Sequence, residues 1–169
     1  TGHIHDRQTR PVRDLLRRRL LLVRQRTMLV LSFKSLNERT LGQRVSLARV
    51  KPLKAEEAQA RFTAPADQLL SGTEIELMGH LTAAITKLEQ HILGVAGKWP
   101  TYQRLQELPG IGKILGLTIA LETGDAKRFA EAGNFASYCR CVKSLRQSNG
   151  KKKGENNRKC GNKYLAWAF

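Results

Sequence analysis

The chain holds 169 residues, 41% of them hydrophobic, enough for one ordinary domain or two small ones with a real core. Lysine and arginine number 30 against 14 aspartates and glutamates, and the resulting net charge of +16 predicts attraction to polyanions before it predicts anything about fold. No apolar stretch approaches the roughly eighteen residues that an α-helix needs to cross a bilayer, which excludes that class.

The charge is unevenly spread. Residues 1–61 carry +10, residues 62–139 carry −2 and residues 140–169 carry +8, so two basic ends flank a nearly neutral middle. The amino terminus, Thr1-Gly2-His3-Ile4-His5-Asp6, has neither an initiator methionine nor a signal-peptide core, and reads as an interior point of a longer reading frame. Cys139, Cys141 and Cys160 are odd in number and have no histidine at zinc-finger spacing. No metal site is expected in this chain, and the three read as reduced, mostly packed thiols.

A long helix is predicted from Arg10-Pro11-Val12, because proline is tolerated in a first turn where its missing N–H would be unpaired anyway. Val12, Leu16, Leu20, Val23, Thr27 and Val30 draw an apolar seam, and Arg10, Arg13, Arg17 and Arg24 a basic stripe. The stripe serves either as a solvated face or as a track for phosphates. The periodicity weakens from Leu36 to Arg61, where Gly42 and Pro52 interrupt it; Lys54 to Arg61 could form a short charged helix before Pro65. A helix then restarts at Thr73, which has Glu76 at capping-box spacing, and runs through Met78, Leu81, Ile85, Leu88 and Ile92 to Gly94 and Gly97. These residues are spaced three and four apart, a heptad seam whose partner is the first helix folded back antiparallel or another subunit. His80 and His91 fall at exposed or seam-edge positions and take no catalytic role.

Trp99-Pro100 marks the join to the next region. Leu108-Pro109-Gly110-Ile111-Gly112 breaks one short helix and starts another, with apolar residues at Ile114, Leu115, Thr118, Ile119 and Leu121 and a stop at Gly124. Gly110 and Gly112 suit a turn that needs positive φ or close backbone approach. The pattern is similar to helix-hairpin-helix units, whose turn amides face phosphate, or it is a structural corner. Lys113 is the lone cation from Gln106 to Ala126, against Glu107, Glu122 and Asp125, so the turn is poorly charged for gripping phosphate by side chains and reads chiefly as a packed corner. Phe135 and Tyr138 follow on a helix expected to pack on that corner. From Cys141 onward, Ser144, Arg146, Ser148, Gly150, Lys151, Lys152, Lys153, Gly154, Arg158 and Lys159 mix serine, glycine and cations, which reads as a loop against phosphate or a disordered tail. Asn162 and Lys163 restart a helix through Trp167. The fold class is therefore all-α: residues 1–97 as a coiled-coil arm of long antiparallel helices, and residues 98–169 as a small helical domain with a helix-hairpin-helix-like unit.

The order of these features resembles the bridge-RNA-guided insertion-sequence transposases. The resemblance is carried by Arg-Pro-Val-Arg-Asp-Leu-Leu-Arg-Arg-Arg, the heptad helix, Leu-Pro-Gly-Ile-Gly, Gly-Asp-x-x-Arg-Phe, Phe-Ala-Ser-Tyr, Ser-Asn-Gly-Lys-Lys-Lys-Gly and Gly-Asn-Lys-Tyr-Leu. In that family an amino-terminal RNase-H-like domain binds divalent metal with an acidic tetrad, a coiled coil follows, and a carboxy-terminal domain contributes a nucleophilic serine. The resemblance implies that this chain is the coiled coil plus that last domain, with Ser148 as the serine and Ser144 as the weaker candidate. It implies Arg13, Arg17, Arg24, Arg146, Lys151, Lys152, Lys153, Arg158, Lys159 and Lys163 as nucleic-acid contacts. DNA, a guide RNA and further copies of the chain are the implied partners, in the bacterial cytoplasm and at the nucleoid. Asp6 and Asp14 lack the spacing and company to replace the tetrad, so no cofactor is expected in this chain, Mg being the expected metal of the intact enzyme, and the chain alone should not recombine DNA. The alternative is a non-catalytic helix-hairpin-helix accessory protein whose basic ends coat nucleic acid.

Overall fold

A computed structural model describes residues 6–142, 145–155 and 160–169, with the side chains of all of these except 145–146 and 152–155. The fold is all-α, with one two-stranded hairpin among the described residues. Among the described residues no helix is long and apolar enough to cross a membrane. The chain divides into two compact units, one of residues 15–91 and the other of residues 1–14 with 92–169.

In the unit of residues 15–91, the main elements are α1 (Thr9–Leu41), which begins outside it, and α4 (Pro65–Ala96), which ends outside it. Arg19 meets Glu89 at 2.6 Å and Arg26 donates to Thr82 at 3.2 Å. Seven residues forward on one helix match seven backward on the other, so the two lie antiparallel. Between them α2 (Leu47–Val50) and α3 (Ala55–Gln59) fold back over the core, which gathers Phe33, Leu36, Val45, Val50, Ala58, Phe62, Ile75 and Met78. Phe33 and Phe62 meet edge to face with centroids 6.5 Å apart, a geometry favoured by the ring quadrupole. The weakly patterned 42–61 stretch is thus ordered by what it buries. Gly42, at φ +66°, closes α1 with its N–H on the Glu38 carbonyl. Asn37, fully buried, donates to the Gln43 carbonyl at 2.7 Å and accepts from Arg61 at 3.0 Å.

Two sequence readings need correction here. On α1 the seam holds at Leu16 and loosens by Thr27, which is exposed with its hydroxyl on the Val23 carbonyl; Phe33 and Leu36 are the buried anchors. On α4 the helix starts at Pro65, eight residues before the expected Thr73, because proline sits in a first turn there just as Pro11 does. Thr73 is mid-helix and donates to the Leu69 carbonyl at 2.8 Å, so it caps nothing. Of the predicted seam on α4, Met78, Ile85 and Ile92 are buried and Leu81 and Leu88 half-buried.

The other unit contains α5 (Pro100–Gln106), α6 (Lys113–Thr123), a single 3-10 turn (Ala126–Arg128), α7 (Ala132–Tyr138), strands β1 (Leu145–Ser148) and β2 (Lys151–Glu155), and α8 (Leu165–Ala168). Pro100 occupies the first turn of α5, with Trp99 as its cap. The helix α6 is the centre of this unit: residues Gly116 to Thr123 are all buried. It packs against α5 on one side, where Gly116 leaves room for the Tyr102 ring, and against α8, whose Leu165 is fully buried.

Candidate nucleic-acid interface

The expected loop of serine, glycine and cations is a β-hairpin. Asn149 and Gly150 form its turn with φ of +51° and +70°, two consecutive positive values of the kind that matches the twist of flanking strands. Asn-Gly between short segments signals such a turn, and reading the stretch by composition alone overlooked it. Ser148 is the last residue of β1 and pairs across the turn with Lys151, the first of β2. Both are exposed, and directly opposed residues of an antiparallel pair project from the same face. Gln147 pairs with Lys152 and Arg146 with Gly154, so Lys153 is the extra residue of a bulge. The side chains of Arg146, Lys152 and Lys153 lie outside the described set, as do Ser144, Arg158 and Lys159 altogether.

The stretch that holds the hairpin is tied at its base. Arg140, at φ +61°, donates its guanidinium to the Cys160 carbonyl at 2.9 Å and the Gly161 carbonyl at 3.2 Å. The left-handed backbone of a non-glycine residue costs about 1–2 kcal/mol, which the two charged hydrogen bonds offset. One residue pair further in, the Asn162 N–H bonds the Tyr138 carbonyl at 2.7 Å. Gly161 has φ +85°, and a Cβ there would lie 2.5 Å from the Tyr138 carbonyl oxygen, so both its conformation and its surroundings require glycine.

Behind this base sits a buried polar network that sequence reasoning missed. Asn162 donates to the Glu122 carboxylate at 2.7 Å and to the Tyr138 hydroxyl at 3.3 Å. Its side-chain carbonyl accepts from the Tyr164 and Leu165 N–H groups at 2.8 and 3.3 Å, capping α8. Glu122 is 1% exposed, and an acid so buried persists only with partners. The signal was there: Glu122 interrupts the apolar run Leu117 to Leu121, inside a helix, with no cation three or four residues away. Arg128 completes the arrangement, donating to the Thr123 carbonyl at 3.1 Å and lying 4.2 Å from the Phe129 ring centre and 4.6 Å from that of Tyr138. The ring contacts of α7 join Phe135 to Phe129 and Phe169, and Tyr138 to Phe129.

The remaining sequence-selected positions are scattered. Gly110 has φ +87° and needs glycine. Gly112 does not: its φ is −76° and a Cβ would meet open space, so its place as the cap residue of α6 rests on neither predicted property. Arg13 is mostly buried beside Asp14 at 3.5 Å; Arg17 is half-buried and Arg24 exposed, and both belong to the unit of residues 15–91. Lys163 is exposed, its ammonium 5.2 Å from the Tyr164 ring centre. Of the cysteines only Cys139 is packed; Cys141 and Cys160 are exposed. Burial first, then the neighbouring Cys141, pushes the Cys139 thiol up to about 11 despite the opposing charge of Arg128. Among the described residues no three of His, Cys, Asp or Glu converge as a metal site requires.

Residues 102–169, the span from α5 through α8, match the family described as Transposase IS116/IS110/IS902. A particular relative is similar over a longer stretch: a probable family 20 transposase of Pseudomonas aeruginosa is 31% identical over 124 residues, covering 73% of this chain and 36% of the relative. The chain therefore spans about a third of the length of the curated relative it matches. No solved structure matches.

Proposed function

We propose that this chain is the carboxy-terminal part of an insertion-sequence transposase, binding DNA and a guide RNA through its basic ends and supplying Ser148 as nucleophile. The observation that supports the reading is an exposed serine at a hairpin turn, opposite Lys151 and inside a stretch of like charge, with the base of that stretch stapled by Arg140. In the proposed step Ser148 Oγ bonds to phosphorus of a DNA phosphodiester, the bond to one sugar oxygen breaks, the hydroxyl proton passes to a base, and the leaving oxygen takes up a proton. A hydroxyl is a weak nucleophile until activated, so acidic residues of another domain would hold Mg to activate the attacking oxygen, while Lys151 and its neighbours hold the phosphate. The whole protein assembles as a homo-oligomer through the long helices.

The test joins the chain to an upstream acidic domain of its own gene and asks for covalent protein–DNA intermediates on element ends. The parent protein should form them; Ser148→Ala should abolish them while leaving salt-sensitive DNA binding in place. Intermediates that persist with Ser148→Ala would remove the serine from the mechanism, and a parent protein that binds DNA but never forms them would favour the non-catalytic accessory protein.

A further inference from the structure

The unit of residues 15–91 carries a groove of its own. It has a volume of about 790 Å³ and lies between α1, α2 with the turn after it, and α4. Val30, Val50, Ile75 and Met78 line it, and Leu31 and Leu47 stand 59% and 47% exposed on it. Three cations, Arg26, Lys34 and Lys51, also line it, and no acidic side chain does. The room exists because α4 contributes Gly79, Thr82 and Ala83 along this wall; a Cβ added at Gly79 would meet nothing within 4 Å.

We propose that this groove docks an acidic amphipathic helix of a partner protein, apolar residues at i, i+4 and i+7 seated inward and carboxylates facing Arg26, Lys34 and Lys51. From Thr27 to Lys34 the groove follows α1 for about 10 Å, two turns of an inserted helix. The walls are largely helical, with their backbone groups bonded within themselves, so they offer no edge for a strand to join. Nucleic acid is a poor occupant because its phosphates would be desolvated against Val30 and Ile75. A second copy of this chain is also disfavoured. An exposed apolar strip with an acid beside it runs along α4, where Leu70 and Leu77 share a side and Glu76 flanks them. Leu70 and Leu77 lie across α4 from Ile75, so copies joined through that strip and this groove would meet head to tail rather than by a two-fold pairing.

The test uses the full chain and a short fluorescein-labelled peptide with leucines at i, i+4 and i+7 and glutamates on its flanks, followed by fluorescence anisotropy. Binding should weaken at least about tenfold with Gly79→Leu, which fills the groove while replacing glycine by a better helix former. It should weaken similarly with Lys34→Glu combined with Lys51→Glu, and the same peptide with lysines on its flanks should bind far more weakly than the acidic one. Circular dichroism and thermal melting of each variant should match the parent. Equal binding of the acidic and basic peptides, or unchanged binding to Gly79→Leu, would overturn the proposal. So would displacement of the peptide by dodecanoate at lower concentration than by unlabelled peptide, which would make the groove a site for an acyl anion. Concentration-dependent growth of the chain alone, relieved by Gly79→Leu, would make the occupant another copy.

Discussion

Replacing Asn162 by alanine removes four hydrogen bonds at once. Its amide loses the 2.7 Å bond to the Glu122 carboxylate and the 3.3 Å bond to Tyr138, and its carbonyl no longer caps the Tyr164 and Leu165 N–H groups. A hydrogen bond to a charged group contributes about 1.5–3 kcal/mol, and loss of a cap costs about 1 kcal/mol. Asn162→Ala should therefore destabilise this unit by about 3–4 kcal/mol, a large share of the 5–15 kcal/mol that holds a domain folded. Trp99 and Trp167, the two tryptophans of the chain, both belong to the same unit, so urea titration followed by tryptophan fluorescence reports its unfolding directly. Glu122→Gln in the same background closes a double-mutant cycle, and because the two side chains touch, the double variant should cost less than the sum of the singles by about 1 kcal/mol or more. A loss below about 1 kcal/mol for Asn162→Ala, or additivity within about 0.5 kcal/mol, would show that Glu122 is held without Asn162 and refute the reasoning.

Glycine replacements should separate conformation from crowding in the same urea assay. Gly112→Ala should change stability little, Gly110→Ala should cost about 1–2 kcal/mol for its positive φ, and Gly161→Ala should cost more, because the Tyr138 carbonyl stands where the methyl must go. Cys139 should be the last of the three cysteines to react with iodoacetamide at pH 8, as read by mass spectrometry of tryptic peptides. Its folded thiol stays protonated to about 11, from an ordinary value of 9.0, so between those values the folded state binds more protons than the unfolded one. Stability from this group is therefore intact below about pH 9 and falls as pH rises towards 11, a loss that Cys139→Ala should reduce in melts across that window.

Much of this protein can be read along its sequence, because helices announce themselves locally. Spacing of three and four locates α4 through Met78, Ile85 and Ile92, Pro11 marks the first turn of α1, and Gly124 ends α6 where a stop is expected. The charge asymmetry is wholly a property of the sequence, and the order of the motifs was enough to reach a transposase family that residues 102–169 do match. What local reading could not supply is set by residues far apart in the chain. The 42–61 segment has little periodicity because its order comes from covering Phe33, Leu36 and Ile75 rather than from a face of its own. The Asn-Gly turn is written in the sequence, but composition reads that stretch as a loop, and a hairpin's cross-strand pairs are non-local. Asn162 looked like the start of a helix and is that, but its partner Glu122 lies forty residues earlier. Only the packing of α6 against α8 brings Asn162 to Glu122 at the base of the serine hairpin, because a buried carboxylate is stable only where the fold delivers donors to it.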